Sequence, residues 1–312
     1  MSDIAPADIP SDTPTDTASD PTSARQPRRP RIAYQGMPGA YSEQASLQFL
    51  AEGEAVGYHD FRGAFEAALR GECDYACLPV ENSLAGSINQ TYDLLTDSAL
   101  HVVGEQIVHV HHNLLVKPGV SLEQVRRVYS HPQALAQCQT FILKHKLEPV
   151  VDFDTAGAAK LLSENGGEGK AAIASRRAAE IYHLDVLAEQ IEDFDYNYTR
   201  FFVLGTDEAP RSSDRNKSSL VIATRHRPGD LVACLELFPQ HGLNMTKLES
   251  RPRRDKPWSY LFYIDIDGHI EDANVQQALT GLMRRAAFVK FLGSYPAAPD
   301  IVGEAGANGS SH

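Results

Sequence analysis

From Arg31 onward, short apolar runs alternate with longer stretches whose apolar residues recur at three- and four-residue spacing. The pattern predicts a strand at Arg31 to Tyr34, a helix from Ser42, a strand near Tyr75 to Pro79 and a helix near Ser87 to Leu95. A second set begins near Val108 to Val116 and continues through a helix at Leu122 to Val125, a strand at Val128 to Tyr129 and a helix at Pro132 to His145. A helix at Thr155 to Glu164, a strand at Ala171 to Ala174 and a helix at Ser175 to Tyr182 complete it. Strands alternating with helices in this way imply parallel pairing through crossover connections.

The rhythm changes after residue 218, where the order is strand Ser219 to Thr224, helix Gly229 to Phe238, strand Asn244 to Ser250, strand Trp258 to Asp265, helix Asp272 to Arg285 and strand Phe288 to Leu292. A βαββαβ order predicts an antiparallel, ferredoxin-like α+β module over 218–296. The Ser-, Asp- and Arg-rich stretch 207–217 reads as a linker. Residues 1–29, rich in Ser, Thr, Pro, Asp and Ala with no apolar signal core, read as a disordered tail, and 297–312 as a flexible one.

With 312 residues there is material for two cores. A net charge of −12 argues against nucleic acid or an anionic membrane surface as a partner, and no run approaches the roughly 20 apolar residues of a membrane span. Asp3, Asp8, Asp12, Asp16 and Asp20 do not suit an organellar transit peptide, so the expected location is cytoplasmic. Cys73, Cys77, Cys138 and Cys234 are scattered and read as small buried hydrophobes of a reducing compartment. His109, His111 and His112 are either metal ligands or residues lining the two faces of a strand.

Candidate chemistry collects where predicted strands give way to helices. These places hold the run from Tyr34 to Ser42 (Tyr-Gln-Gly-Met-Pro-Gly-Ala-Tyr-Ser), Pro79-Val80-Glu81-Asn82-Ser83-Leu84-Ala85-Gly86-Ser87, Ser130-His131-Pro132-Gln133-Ala134-Leu135 and Asp154-Thr155-Ala156-Gly157. In an open α/β sheet, ligands gather at such points because helix N-termini offer free N–H groups and a positive dipole end. Ser42, Ser130 and Thr155 each suit an N-cap; taken with Asn197-Tyr198-Thr199-Arg200-Phe201 they point to one shared anion-binding cleft.

In this order these segments closely resemble the hallmark segments of the prephenate dehydratase family, and Glu249-Ser250-Arg251-Pro252 resembles the phenylalanine-binding signature of its regulatory ACT domain. The resemblance covers about residues 30–296. It implies a two-lobed, periplasmic-binding-protein-like α/β catalytic domain over 30–206, crossing between lobes near 108 and 190, followed by the ACT module. The implied reaction is decarboxylative dehydration of prephenate, with no metal or organic cofactor.

Within that chemistry Arg200, with its bidentate fork, is the first candidate for a carboxylate clamp, the alternative being a salt bridge that braces the hinge. The resemblance assigns Thr199 to the departing hydroxyl, and Glu81 is either the proton source or a group ordering its loop. Ser42, Asn82, Ser83, Ser130, Gln133, Thr155 and Asn197 are expected as binding residues, with N–H groups around Gly39 and Gly86, while Tyr41 and Phe201 pack on the ring. Met37 stands where many relatives carry an acid. Phenylalanine is the implied effector, enclosed by Gly229, Asp230, Leu231 and Val232 and by Asn244, Glu249, Ser250, Arg251 and Pro252 of a neighbouring subunit in a homodimer or homotetramer. Asp230 replaces the Ala frequent there. Two rival readings are an arogenate dehydratase and a non-catalytic amino-acid sensor on the same fold.

Overall fold

Three sheets organise the computed structural model, which describes residues 28–299 apart from 97, 213, 226, 254 and 255; the two expected tails lie almost wholly outside the described residues. The first lobe is built from β1 (Arg31–Gln35), α1 (Tyr41–Phe49), β2 (Glu54–Tyr58), α2 (Phe61–Leu69), β3 (Tyr75–Asn82), β4 (Gly86–Ser87), α3 (Asn89–Thr96) and β5 (His101–His109). The second contains β6 (Asn113–Val116), a 3-10 turn at Leu122–Gln124, β7 (Arg127–Ser130), α4 (Pro132–Gln137), α5 (Gln139–Lys144), β8 (Glu148–Val151), α6 (Thr155–Asn165), β9 (Lys170–Ala174), α7 (Arg176–Tyr182) and β10 (Asp185–Ala188). Then β11 (Tyr198–Gly205) re-enters the first sheet, whose order is β2-β1-β3-β11-β5; the second runs β10-β6-β9-β7-β8. The chain therefore passes between lobes at 110–112 and again at 189–197.

The C-terminal module consists of β12 (Asn216–Ala223), α8 (Asp230–Leu235), α9 (Leu237–Gln240), β13 (Met245–Pro252), β14 (Tyr260–Asp267), α10 (Ala273–Arg285) and β15 (Phe288–Pro296). Its wholly antiparallel order, β13-β14-β12-β15, is ferredoxin-like.

Differences from the sequence expectation have local causes. β2, α2 and β5 were not anticipated, although Asp60 caps α2 by accepting from the Gly63 N–H at 2.7 Å. The helix expected over Pro132 to His145 breaks at Cys138: Asp193 donates its N–H to the Gln137 carbonyl at 2.7 Å and accepts the Thr140 N–H at 3.1 Å. The helix expected over Gly229 to Phe238 divides at Glu236, three residues after which Pro239 lacks the N–H that would bond back to Leu235.

Close backbone approach joins the units. A Cβ on Gly39, at φ +94°, would lie 2.8 Å from Ala178 Cα, and one on Gly293 would lie 2.2 Å from the Val102 carbonyl. Phe202, Leu78 and Leu95 of the first lobe share one apolar cluster with Val221, Tyr263, Leu292 and Tyr295 of the module. Each such side chain contributes about 1.5–3 kcal/mol on burial, so the module is part of the first lobe's own core.

Arg200 sits within this junction. Its Nε donates to Glu105 at 2.7 Å, Nη1 to Asp265, and Nη2 to the Tyr295 hydroxyl at 3.1 Å. Lys217 also reaches Glu105, at 2.9 Å. Burial opposes the guanidinium charge, but Asp265 and Glu105 hold its pKa above the ordinary arginine value. Arg200 is thus committed to a brace between sheets and does not line the cleft, which corrects the carboxylate-clamp expectation.

Replacing Arg200 with Met leaves buried Asp265 without its cation and Glu105 with Lys217 alone, so a loss of about 3–5 kcal/mol in stability is expected. Chemical denaturation should show that loss, while the KM for the anionic substrate stays within about twofold of wild type, a change under ~0.5 kcal/mol.

Candidate active site

The antiparallel pairing of β3 with β11 decides which side chains meet the cleft. Thr199 pairs with Asn82, Arg200 with Glu81 and Phe201 with Pro79, leaving Val80 as the extra residue of a β-bulge. Partners directly opposite in an antiparallel pair share a face. Asn82, Thr199, Pro79 and Phe201 therefore line a cavity of about 730 Å³ between the lobes, whereas Glu81 and Arg200 face the C-terminal module.

Asn82 organises the floor of this cavity. Its Oδ1 accepts the N–H groups of Leu84 (3.1 Å) and Ala85 (2.9 Å), which fixes the amide orientation. Nδ2 then faces Asn197 Oδ1 at 2.9 Å, the Tyr198 carbonyl at 3.1 Å and Thr199 Oγ1 at 3.0 Å. Because Thr199 Oγ1 accepts from this amide, its own hydroxyl hydrogen is left to donate elsewhere. Asn197 is fully buried and donates to Gln137 at 3.1 Å, supporting the floor from beneath.

Of the expected residues, Tyr41, Ser42, Asn82, Gln133, Thr155, Thr199 and Phe201 line the cavity. Ser83 instead ties the loop, donating to the Tyr196 carbonyl at 2.7 Å and accepting the Tyr198 N–H at 2.8 Å. Ser130 is buried against the Ile173 carbonyl at 2.6 Å, and Gly86 pairs with Asn82 in the β3–β4 ribbon. None of Ser42, Ser130 or Thr155 is an N-cap: Ser42 donates to the Gln35 carbonyl, His131 accepts the Gln133 N–H, and Asp154 accepts the Gly157 N–H. Glu81 is 2.8 Å from Lys247 of the module, which removes it as a proton source within the cleft. Met37 packs against an apolar cluster shared by both lobes and takes no part in the polar lining.

Lining residues that sequence reasoning missed include Asn89, Gln90, His112, Gln137, His59 and Phe153. His112 was within reach, since the run from His109 to His112 already drew attention; its ring Nε2 meets Gln137 at 2.9 Å and Nδ1 lies 3.4 Å from the Tyr41 hydroxyl. His111 instead pairs with Glu192 at 2.7 Å and His109 stacks on Tyr198. Among the described residues no group of three or more such side chains forms a metal site. No described lining residue is Lys or Arg. The N-termini of α1, α2, α3 and α6 all border the cavity; those of α2 and α6 are capped by Asp60 and Asp154, while α1 and α3 have no carboxylate cap and supply positive potential. Burial raises the Asp154 carboxyl pKa and lowers those of His131 and His112, each away from its charged form.

The family profile described as prephenate dehydratase matches residues 32–209, more than half of the chain. The chain belongs to the prephenate dehydratase family. It is 44% identical to arogenate dehydratase/prephenate dehydratase 2 of Arabidopsis thaliana, a chloroplastic protein, over 86% of this chain and 73% of that one. A solved prephenate dehydratase from Arthrobacter aurescens in complex with L-Phe is 32% identical, with a TM-score of 0.79 over 87% of this chain and 92% of the other. A solved chain described as GqqA, a novel type of quorum quenching acylase, is 36% identical with a TM-score of 0.80, over 86% of this chain and 98% of that one. Prephenate dehydratase relatives thus span both the cleft lobes and the C-terminal module.

The neutral state of His112 carries a pH signature. Its folded pKa lies below the ordinary value because burial disfavours imidazolium, so the unfolded chain binds this proton first as pH falls. Stability from this group is complete above the unfolded pKa of about 6.5 and is lost as pH drops through and below it. In melting experiments between pH 7.5 and 5.5, His112→Gln should therefore gain on wild type as the solution is acidified; parallel curves would contradict this.

Proposed function

We infer that this chain is a prephenate dehydratase, converting prephenate to phenylpyruvate, water and carbon dioxide. The observation carrying the reading is the Thr199 hydroxyl, oriented by the Asn82 amide and aimed into a cleft of neutral donors and helix N-termini. Prephenate is a cyclohexadienyl alcohol with a ring carboxylate and a pyruvyl side chain. The bond to the ring carboxylate breaks, its electron pair becomes a ring double bond, and carbon dioxide departs. The ring C–O bond breaks with its pair on oxygen, and a proton completes water.

Thr199 hydrogen-bonds the departing oxygen, where negative charge grows as the C–O bond lengthens. Its acidity is too low for ionisation to be its role. Gln133, Gln137, Asn89 and Gln90 supply further neutral donors to the two carboxylates. Phe201 and Tyr41 give the aromatising ring apolar faces. The same leaving-group chemistry on arogenate is favoured by no particular contact, and parallel assay of both substrates distinguishes them.

The ferredoxin-like module is read as an ACT domain that senses L-phenylalanine. Support lies in the register, which sets Ile222, Phe262 and Ser250 at one level across the sheet. The loop before α8 leaves the sheet at this end and forms a hollow of about 390 Å³ lined by Arg227, Gly229, Leu231 and Val232. Asp230 opens α8 and its carboxylate accepts the Arg227 N–H at 3.3 Å. Ser250 and Pro252 are exposed on the edge strand β13, and Asn244 meets Asp267 at 2.9 Å. Glu249 and Arg251 are engaged with Ser87 and Asp93 of the catalytic lobe, so they serve the effector site indirectly. Exposed Val232, Leu248 and Tyr260 suit pairing of two such modules in a homodimer or homotetramer. A cytoplasmic location fits this reading; among the described residues no helix is long and apolar enough to cross a membrane.

The deciding test is turnover. Wild-type chain should form phenylpyruvate from prephenate, and Thr199→Val should lower kcat by about 10²–10³, the scale of one oriented donor, with little change in KM or melting temperature. L-phenylalanine at a hundredfold excess over its Kd should add about 2.7 kcal/mol of stability, read as a raised melting temperature that Ser250→Ala diminishes; an unmoved wild-type melting curve would remove phenylalanine from this reading.

A further inference from the structure

Strand β13 turns one side toward the catalytic lobe and the other outward. Lys247, Glu249 and Arg251 lie on the inner side, while Thr246, Leu248 and Ser250 are exposed. All three inner residues grip one stretch of the first lobe. Lys247 is 2.8 Å from the Glu81 carboxylate and donates to Ser87 at 3.2 Å; Glu249 accepts from Ser87 at 2.8 Å; Arg251 donates to Asp93 at 3.1 Å. The other side of that stretch is cleft wall, formed by Asn82, Ile88, Asn89 and Gln90.

Lys247 is the central contact. Its side chain is 8% exposed, and its ammonium lies 5.6 Å from the Tyr92 ring centre with the half-buried Glu81 as carboxylate partner. A desolvated cation is held firmly by such partners, because withdrawing it from them leaves its charge uncompensated. Glu81 immediately precedes Asn82, and Asn82 holds Thr199. A shift of Lys247 thus acts through one peptide unit on the donor that orients the Thr199 hydroxyl.

We propose that Lys247 is a positioning residue for the catalytic threonine, acting from the C-terminal module through Glu81 and Asn82, and that this contact carries the regulatory signal from β13 into the cleft. The proposal rests on the prephenate dehydratase reading and deepens it. Effector bound on the outer side of β13 changes the strand's set, and the inner side passes that change to the Glu81–Asn82 corner. Neither Lys247 nor Glu81 touches substrate.

The test compares wild type, Lys247→Met, Lys247→Arg, Glu81→Gln and the Lys247→Met/Glu81→Gln double variant as full-length chains on prephenate. Lys247→Met is expected to lower kcat about tenfold, within the range for coupling through positioned networks, with KM within about twofold. Lys247→Arg should restore most of the rate, and the double variant should be no slower than the worse single one, since both break the same link. A Lys247→Met kcat equal to wild type, or rate losses that multiply in the double variant, overturns the proposal. If Lys247→Arg recovers the melting temperature without the rate, a cation on Glu81 does not position the threonine and the proposal falls. A wild-type chain inactive on prephenate overturns the functional reading itself, a result distinct from any pattern among the variants.

Discussion

The pairing of β3 with β11 is the constraint on which the rest depends. One bulged residue, Val80, allows Pro79 and Asn82 both to meet the cleft while Glu81 between them faces the module. On β11 strict alternation sends Thr199 and Phe201 one way and Arg200 and Phe202 the other. Two neighbouring strands thereby serve as cleft floor and as inter-domain face. A one-residue slip would exchange these roles, placing a guanidinium in the site and the threonine in the junction.

The junction explains why such a slip does not occur. Arg200 is satisfied only where Glu105, Asp265 and Tyr295 coincide, and its guanidinium carbon lies 4.7 Å from the centre of the Phe202 ring. The surrounding apolar cluster draws on both the first sheet and the module, so correct register on one side is rewarded by burial on the other. Ion pairs of this kind add little net stability but penalise alternatives heavily, because a misplaced partner leaves a buried charge uncompensated. Fold and site are specified by the same contacts.

That division also explains what was legible in the sequence. Segments where strands give way to helices led to Tyr41, Ser42, Asn82, Gln133 and Thr155, all of which line the cavity, because such turns face the cleft in an open α/β sheet. Thr199 and Phe201, which also line it, came from the Asn197–Phe201 run at the start of β11. Orientation along β3 was not legible, since period-2 alternation read without the bulge gives Glu81 and Asn82 no unique faces. Arg200 was misassigned because its partners Glu105 and Asp265 are 95 and 65 residues away in sequence. Strand β2 escaped notice because it is an edge strand carrying Glu54 and Gly57, without the apolar run of a central strand. The break at Cys138 needs Asp193, which only the return between lobes brings near.

Charge placement then bears on the chemistry itself. Among the described residues Arg200, Lys217, Lys247 and Arg251 are all committed to contacts between domains, and the cleft lining holds amides, hydroxyls, imidazoles and the carboxyl groups of Asp60 and Asp154 but no Lys or Arg. In decarboxylative dehydration the ring carboxylate loses its charge while the departing oxygen gains it. A guanidinium clamped on that carboxylate would stabilise the ground state more than the transition state and so raise the barrier. A neutral hydroxyl aimed at the departing oxygen does the reverse, since its hydrogen bond strengthens as charge arrives. Helix N-termini at the cleft favour an anion through partial charges weaker than a full guanidinium. On this argument Arg200 suits the junction better than the cleft, where the Asn82 amide orients the Thr199 hydroxyl.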